Sequence, residues 1–277
     1  MSKKQKAISL AVLAVWIVLL LVGIVLTGGG EREESIREVM RNEVLHESTK
    51  ISLFGWLDVN PGLISAFCVT ALLTVAAVLL RIFVIPKFRE VPGRLQLLLE
   101  EAVGCFDRLA KGNSPHRNGF LGAYVFVAGT YIFVGTMFEL FGFQAVSTNG
   151  VSVALPAPLS DINGAIAMGF LTYGVILSGG IVANRFRGVG RVLKDFSLPI
   201  SMSFRLFGAL LSGALVTELV YYYIGLSFVL PVFVGVVFTL LHALIQAYVL
   251  TMLAALFYGE ATEPPKPKAG KRRRKNA

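Results

Sequence analysis

The sequence predicts an all-α polytopic membrane fold with about six transmembrane helices. Three observations carry that reading. Hydrophobic residues make up 55% of the 277 residues and charged residues only 16%, whereas a soluble domain carries about a quarter charged. Mean hydropathy is +0.70, so the chain lacks the polar groups to cover its own surface. The charges also fall in blocks between apolar stretches of about 20 residues, the length that crosses a bilayer as a helix. Hydrocarbon cannot satisfy backbone donors, and no strand-like alternation suggests a barrel, so each stretch must be helical.

The apolar stretches run 7–27, 61–85, 119–141, 162–183, 199–226 and 229–258. The first follows Lys3, Lys4 and Lys6, which also suits a signal peptide. It exceeds a usual signal core and ends in Thr27 and three glycines without a small-residue cleavage pattern, which favours a retained helix. The N-terminal tail, the 86–118 connection with Arg81, the 184–198 connection and the tail from Gly259 hold 21 of the 26 basic residues. With six spans all four lie on one side. Segment 28–60 on the other side holds 4 basic against 7 acidic residues. The positive-inside bias therefore places both termini in the cytoplasm; the membrane is expected to be a cell inner or plasma membrane.

Three regions are expected: an anchor helix with an external acidic segment over 1–60, the membrane domain over 61–263, and a disordered basic tail over 264–277. Within the 86–118 connection, Leu95, Leu98, Leu99, Ala102, Phe106, Leu109 and Ala110 follow helical spacing among charged residues. This predicts an amphipathic helix over 94–110 on the cytoplasmic membrane surface, or failing that a solvated connector helix. The tail Lys271 to Lys275 is expected to touch anionic lipid rather than nucleic acid. Cys68 and Cys105 have neither metal nor disulfide-framework spacing, and no nucleotide-binding fingerprint occurs, so no cofactor or metal is expected.

The polar residues inside the spans carry the functional signal. Arg205 stands six residues into an apolar stretch, where a charge costs about 2.5–3.5 kcal/mol at the bilayer centre. It either snorkels to the interface or meets a carboxylate on a neighbour. Gly208, Ala209, Ser212, Gly213 and Ala214 follow it and let another helix approach closely. Arginine keeps its proton at any accessible pH. In the last span His242 and Gln246 are four apart and share a face. Glu139, Glu218, and Asp161 with Asn163 stand in or at the edge of spans, where interfacial anchoring is the plainer reading for Glu139.

Three stretches resemble a family. Pro199 to Gly208, with Arg205 at its centre, is similar to the arginine signature of subunit a of F-type ATP synthases. Ile245 to Leu253, with Gln246, looks like the glutamine signature of that subunit's last helix. Pro158 to Asn163, with Asp161, is similar to the family's Pro-x-x-Asp-x-Asn stretch. The resemblance covers roughly residues 51–263. It implies two long tilted C-terminal helices facing a ring of c subunits, with b subunits of the peripheral stalk and membrane lipid as further partners. It also implies an ion-translocating stator, the ion a proton, with one half-channel from each side and Arg205 between them. ATP would be made elsewhere in the complex. Where members carry Asn, Glu, and Glu or His, this chain has Ala209, Ala214 and Thr239.

The outer path is therefore expected to run through other groups. Asp161, Asn163 and Glu218 would line its mouth, and His242 would be a deeper step before the c carboxylate. At about 1.5 Å per residue, Glu218 lies roughly 20 Å along its helix from Arg205 and His242 about 6 Å from Gln246. If Arg205 and Gln246 are level, Glu218 and His242 are well separated and water fills the gap. A secondary transporter or channel would instead show inverted repeats around a midplane site, and none is found. A scaffold would leave Arg205 unexplained.

Sidedness is directly testable. With Cys68 and Cys105 replaced by serine, Ser35→Cys should react with an impermeant thiol reagent from outside, and Gly270→Cys only from the cytoplasm. External labelling at position 270 would overturn the six-span arrangement.

Overall fold

The computed structural model describes residues 35–45, 51–53, 57–146, 152–222 and 230–264, with single positions between 12 and 22. Both the 7–27 anchor and the tail lie outside the described set, apart from those single positions. The protein is an all-α polytopic membrane protein. Five helices among the described residues are long and apolar enough to cross a membrane.

In chain order the helices are α1 (Ile36–Leu45), α2 (Pro61–Leu79), α3 (Arg94–Asn113), α4 (Gly119–Leu140), α5 (Ile162–Asn184), α6 (Phe186–Lys194), α7 (Ser197–Tyr222) and α8 (Leu230–Thr262). A π-helical turn, Leu80–Val84, and a short 3₁₀ turn, Ile85–Lys87, continue α2. All five of these spans match the apolar stretches at their starts to within two residues. The surface helix extends one turn beyond its expected end at residue 110, to Asn113. Four features were not expected. Helix α1 forms within the 28–60 acidic segment. Segment 184–198 contains α6 rather than a plain connection. Two hairpins also form, β1 (Ile51–Leu53) with β2 (Leu57–Val59), and β3 (Gln144–Val146) with β4 (Ser152–Ala154).

The chain divides into two compact units. The first contains residues up to Leu79, Tyr131–Ala165 and Phe204–Ala247. Its core is Val69, Phe138 and Leu155, packed with Ile64, Leu73, Tyr131 and Val134. Gly135 brings α4 against the Pro158 ring, which would lie 3.5 Å from an added Cβ. The β3–β4 hairpin joins this core through Leu155 N–H, which donates to Phe143 O at 2.8 Å, and Phe143 stacks on Phe138 at 4.7 Å.

The second unit contains Leu80–Thr130, Ile166–Ser203 and the chain from Tyr248. Here glycines set the contacts. An added Cβ on Gly188 would run into the backbone of Gly180, and one on Gly179 into the Tyr258 ring. These close approaches fold α6 back along α5 and seat α5 against α8. The reversal passes through Arg185, which has φ 50°. The carbonyls at the end of α8 and of Glu263 just beyond it accept from side chains. Asn184 Nδ2 donates to Ala261 O at 3.0 Å and Glu263 O at 2.9 Å, and Arg191 Nη1 donates to Glu260 O at 2.8 Å and Glu263 O at 2.9 Å. The far end of α3 is also held. Its Phe106 meets Phe126 edge-on at 5.8 Å, and Ala110 is fully buried.

Candidate functional site

All seven polar residues singled out from the sequence, Glu139 included, fall in the first unit. Arg205 stands on an exposed stripe of α7 with Phe204, Gly208 and Ser212. The spacing of these residues is that of one helix face. Leu206 and Leu210 point the other way and are buried. Among the described residues Arg205 has no hydrogen-bond or ion-pair partner. The small residues beside it are Gly208, with nothing near a notional Cβ, and Ser212, whose hydroxyl donates back to Ala209 O at 2.8 Å. The stripe therefore presents a cation on a surface that another helix can approach closely.

Gly213 belongs to a different face. A Cβ there would meet Nδ1 and Cε1 of His242 at 3.7 and 3.8 Å, so α7 and α8 approach one another at this level. His242 is half-buried, and its Nδ1 lies 2.8 Å from Phe238 O, one turn earlier on α8. In a neutral ring, Nδ1–H must then be the donor and Nε2 the bare acceptor. The Phe238 ring lies 5.9 Å away at 27° and limits the imidazole's rotation.

One turn further along α8, Gln246 is 5% exposed, and its Oε1 has no hydrogen-bond partner. A buried acceptor left without a donor costs about 1–3 kcal/mol. The pairing with a neighbour's backbone that commonly explains a buried glutamine is thus not made by this oxygen. No hydrogen bond joins Gln246 to Arg205.

The Gly213–His242 contact also sets the register. With α7 and α8 antiparallel, Gln246 lies near the level of Ala209, and Arg205 about one turn, roughly 6 Å, beyond it. The two residues are therefore not level. Glu218 lies only about 7 Å along the axis from His242, roughly half the gap that equal levels imply. Glu218 itself is half-buried and has no partner among the described residues.

Asp161 has a structural role of its own. Its Oδ1 accepts from Asn163 N at 3.2 Å and Nδ2 at 3.4 Å, which caps the start of α5. The corner is tight. A Cβ on Gly164 would fall 2.6 Å from Pro158 O, and one on Gly62 would fall 3.0 Å from the Asp161 Cβ. Asn60 Oδ1 accepts from Gly62 N at 3.0 Å on the same side. No hydrogen bond links Asp161 or Asn163 to Glu218 or His242. The capping role could have been read from an Asp directly before an apolar run. The pairing of Gly213 with His242 had no sequence signal, because five small residues follow Arg205 and any of them could have met α8.

Residues 66–259 match the family described as ATP synthase A chain. The chain belongs to that family. It is accordingly a membrane-sector subunit a of an ATP synthase, and the family implies membrane-sector partners such as the c-ring. The chain has no match among curated proteins. Within this subunit a the matched region includes the arginine stripe, the glutamine, and the Asp161 corner.

The register predicts a cross-link. In a background with Cys68 and Cys105 replaced by serine, a Gly213→Cys/His242→Cys pair should form a disulfide or react with a short bifunctional thiol reagent. A Glu218→Cys/His242→Cys pair should cross-link at least several-fold less. Equal yields from the two pairs would overturn the register.

Proposed function

We propose that this chain is the proton-translocating stator of the ATP synthase membrane sector, offering two half-channels to a rotating c-ring. The observation that carries the reading is Arg205. It is a permanent cation in the first half of a long apolar helix, exposed on a small-residue stripe, with no partner among the described residues. In hydrocarbon such a charge calls for an anion, and the one this family supplies is the carboxylate of a c subunit.

On this reading Arg205 attracts each arriving carboxylate in its ionised form and bars protons from slipping directly between the half-channels. One charge crossing 100 mV releases about 2.3 kcal/mol, so a leak there would dissipate the driving force. Gln246, buried with a free carbonyl oxygen, offers an acceptor one turn from the level of Arg205. The outer path enters near Asp161, Asn163 and Glu218. It continues through water to Nε2 of His242, which takes a proton while Nδ1–H stays bonded to Phe238 O. Along the helix axis Glu218 and His242 are only about 7 Å apart, and water bridges the space between them. The basic side of the membrane is the cytoplasm, the membrane is the cell membrane, and peripheral-stalk b subunits hold the chain against rotation.

Two experiments test this. Arg205→Ala should abolish proton-driven ATP synthesis, and Arg205→Lys should restore it only partly, because lysine can lose its proton in an apolar site. Near-normal coupled synthesis in the alanine variant would sink the stator reading.

For the outer path, Glu218→Gln and His242→Leu should each lower synthesis by at least about tenfold, with little further loss in the double variant. The loss is non-additive because either break interrupts one path. Wild-type rates in both single variants would remove the relay and leave Arg205's role standing.

A further inference from the structure

The π-helical turn at the end of α2 and the start of α3 enclose an open cleft of about 600 Å³. It lies where the chain leaves its apolar span, which ends at Lys87, and enters the amphipathic helix. Three cations line it: Lys87, Arg89 and Arg94. Among the described residues none of these three side chains has a hydrogen-bond or ion-pair partner. Phe83, Phe88 and Leu95 line the same cleft and are 57%, 36% and 58% exposed. The loop is braced, because the Gln96 side chain bonds both the N–H and the carbonyl of Arg89, at 3.1 and 3.0 Å. Glu100 in turn accepts from Gln96 Nε2 at 2.7 Å, so it is engaged away from the three cations. Glu90, in the same loop, is exposed and does not line the cleft.

We infer that this cleft binds the phosphodiester headgroup of an anionic phospholipid, with an acyl chain laid against Phe83, Phe88 and Leu95. Charge complementarity names the headgroup. Three unpaired cations around one opening favour a negative group, and each basic residue near an anionic surface contributes about 1 kcal/mol. The apolar lining names the lipid over a free anion, because inorganic phosphate would leave those side chains uncovered. The position agrees with both, since the cleft joins a membrane span to a helix whose first half carries its leucines outward. Leu97 and Leu98 are 57% and 68% exposed there, while Ala110 at the other end is buried. A π-helical turn in a span is also a feature that recurs at functional sites. The inference does not rest on ion translocation and survives if the stator reading fails.

The test is lipid retention by the full chain, in its native complex, followed by native mass spectrometry after extraction from mixed phosphatidylglycerol and phosphatidylcholine vesicles. The wild type should keep phosphatidylglycerol in preference to phosphatidylcholine. The triple variant Lys87→Gln/Arg89→Gln/Arg94→Gln should lose at least tenfold of that preference. A tail variant that removes the same charge, Arg272→Gln/Arg273→Gln/Arg274→Gln, should keep it. So should the charge-retaining Lys87→Arg/Arg89→Lys/Arg94→Lys, which also checks that assembly is intact. Unchanged retention in the neutral triple variant, or an equal loss in the tail variant, would overturn the site. Displacement of the lipid by millimolar inorganic phosphate would overturn the lipid as occupant and leave a free-anion site.

Discussion

A polypeptide in hydrocarbon has no water to bond, so every backbone group inside the membrane must find its partner within the chain. That constraint makes five described stretches into long helices whatever their detailed composition. It also removes the hydrophobic force that would hold the helices together, because lipid tails are as apolar as leucine. What remains is close contact, and the chain achieves it with glycine. Gly180 against Gly188 and Gly179 against Tyr258 bring neighbouring segments nearer than any side chain would permit. Each such approach gains dispersion contacts that lipid would otherwise supply less densely.

The same constraint explains how the polar groups are handled. Most hydroxyls in the spans donate to a carbonyl one turn back, as Thr70, Ser203 and Thr217 do. At the end of α8, where carbonyls run out of helical partners, Asn184 and Arg191 supply the missing donors. Against that background of satisfied groups three stand out. Arg205 and Glu218 are charged groups without a partner among the described residues, and the Gln246 oxygen is buried without a donor. Unsatisfied groups of this kind are expensive in a membrane. Their persistence in a subunit that works inside a larger assembly is understandable if the assembly completes them.

The small residues after Arg205 show how one sequence feature divides into two roles. Gly208 and Ser212 remain on the exposed stripe beside the arginine, while Gly213 turns toward His242. A helix places residues five apart on different faces, so a run of small side chains lies against α8 on one face and leaves another open. Asp161 caps α5, and that structural role stands whether or not the residue takes part in conduction.

Much of the fold was legible in the sequence because span length is a local property. The hydrocarbon thickness dictates about 20 apolar residues, and the 162–183 stretch becomes Ile162–Asn184 with hardly a change. Amphipathic spacing marked the 94–113 helix for a similar reason. Helix α6 was missed because Gly188 and Gly190 lower helix propensity, and its stability comes from the contact Gly188 makes with α5, which no local pattern records. The hairpins were missed because three-residue strands are too short to show alternation. In the site, Arg205 and Gln246 were evident by themselves, since a charge or an amide in an apolar run is conspicuous wherever it points. Their relative depth was not. Only the packing of α7 on α8 decided that His242 faces Gly213, and with it the spacing of Arg205, Gln246 and Glu218, because helix register depends on which side chains interlock across two segments.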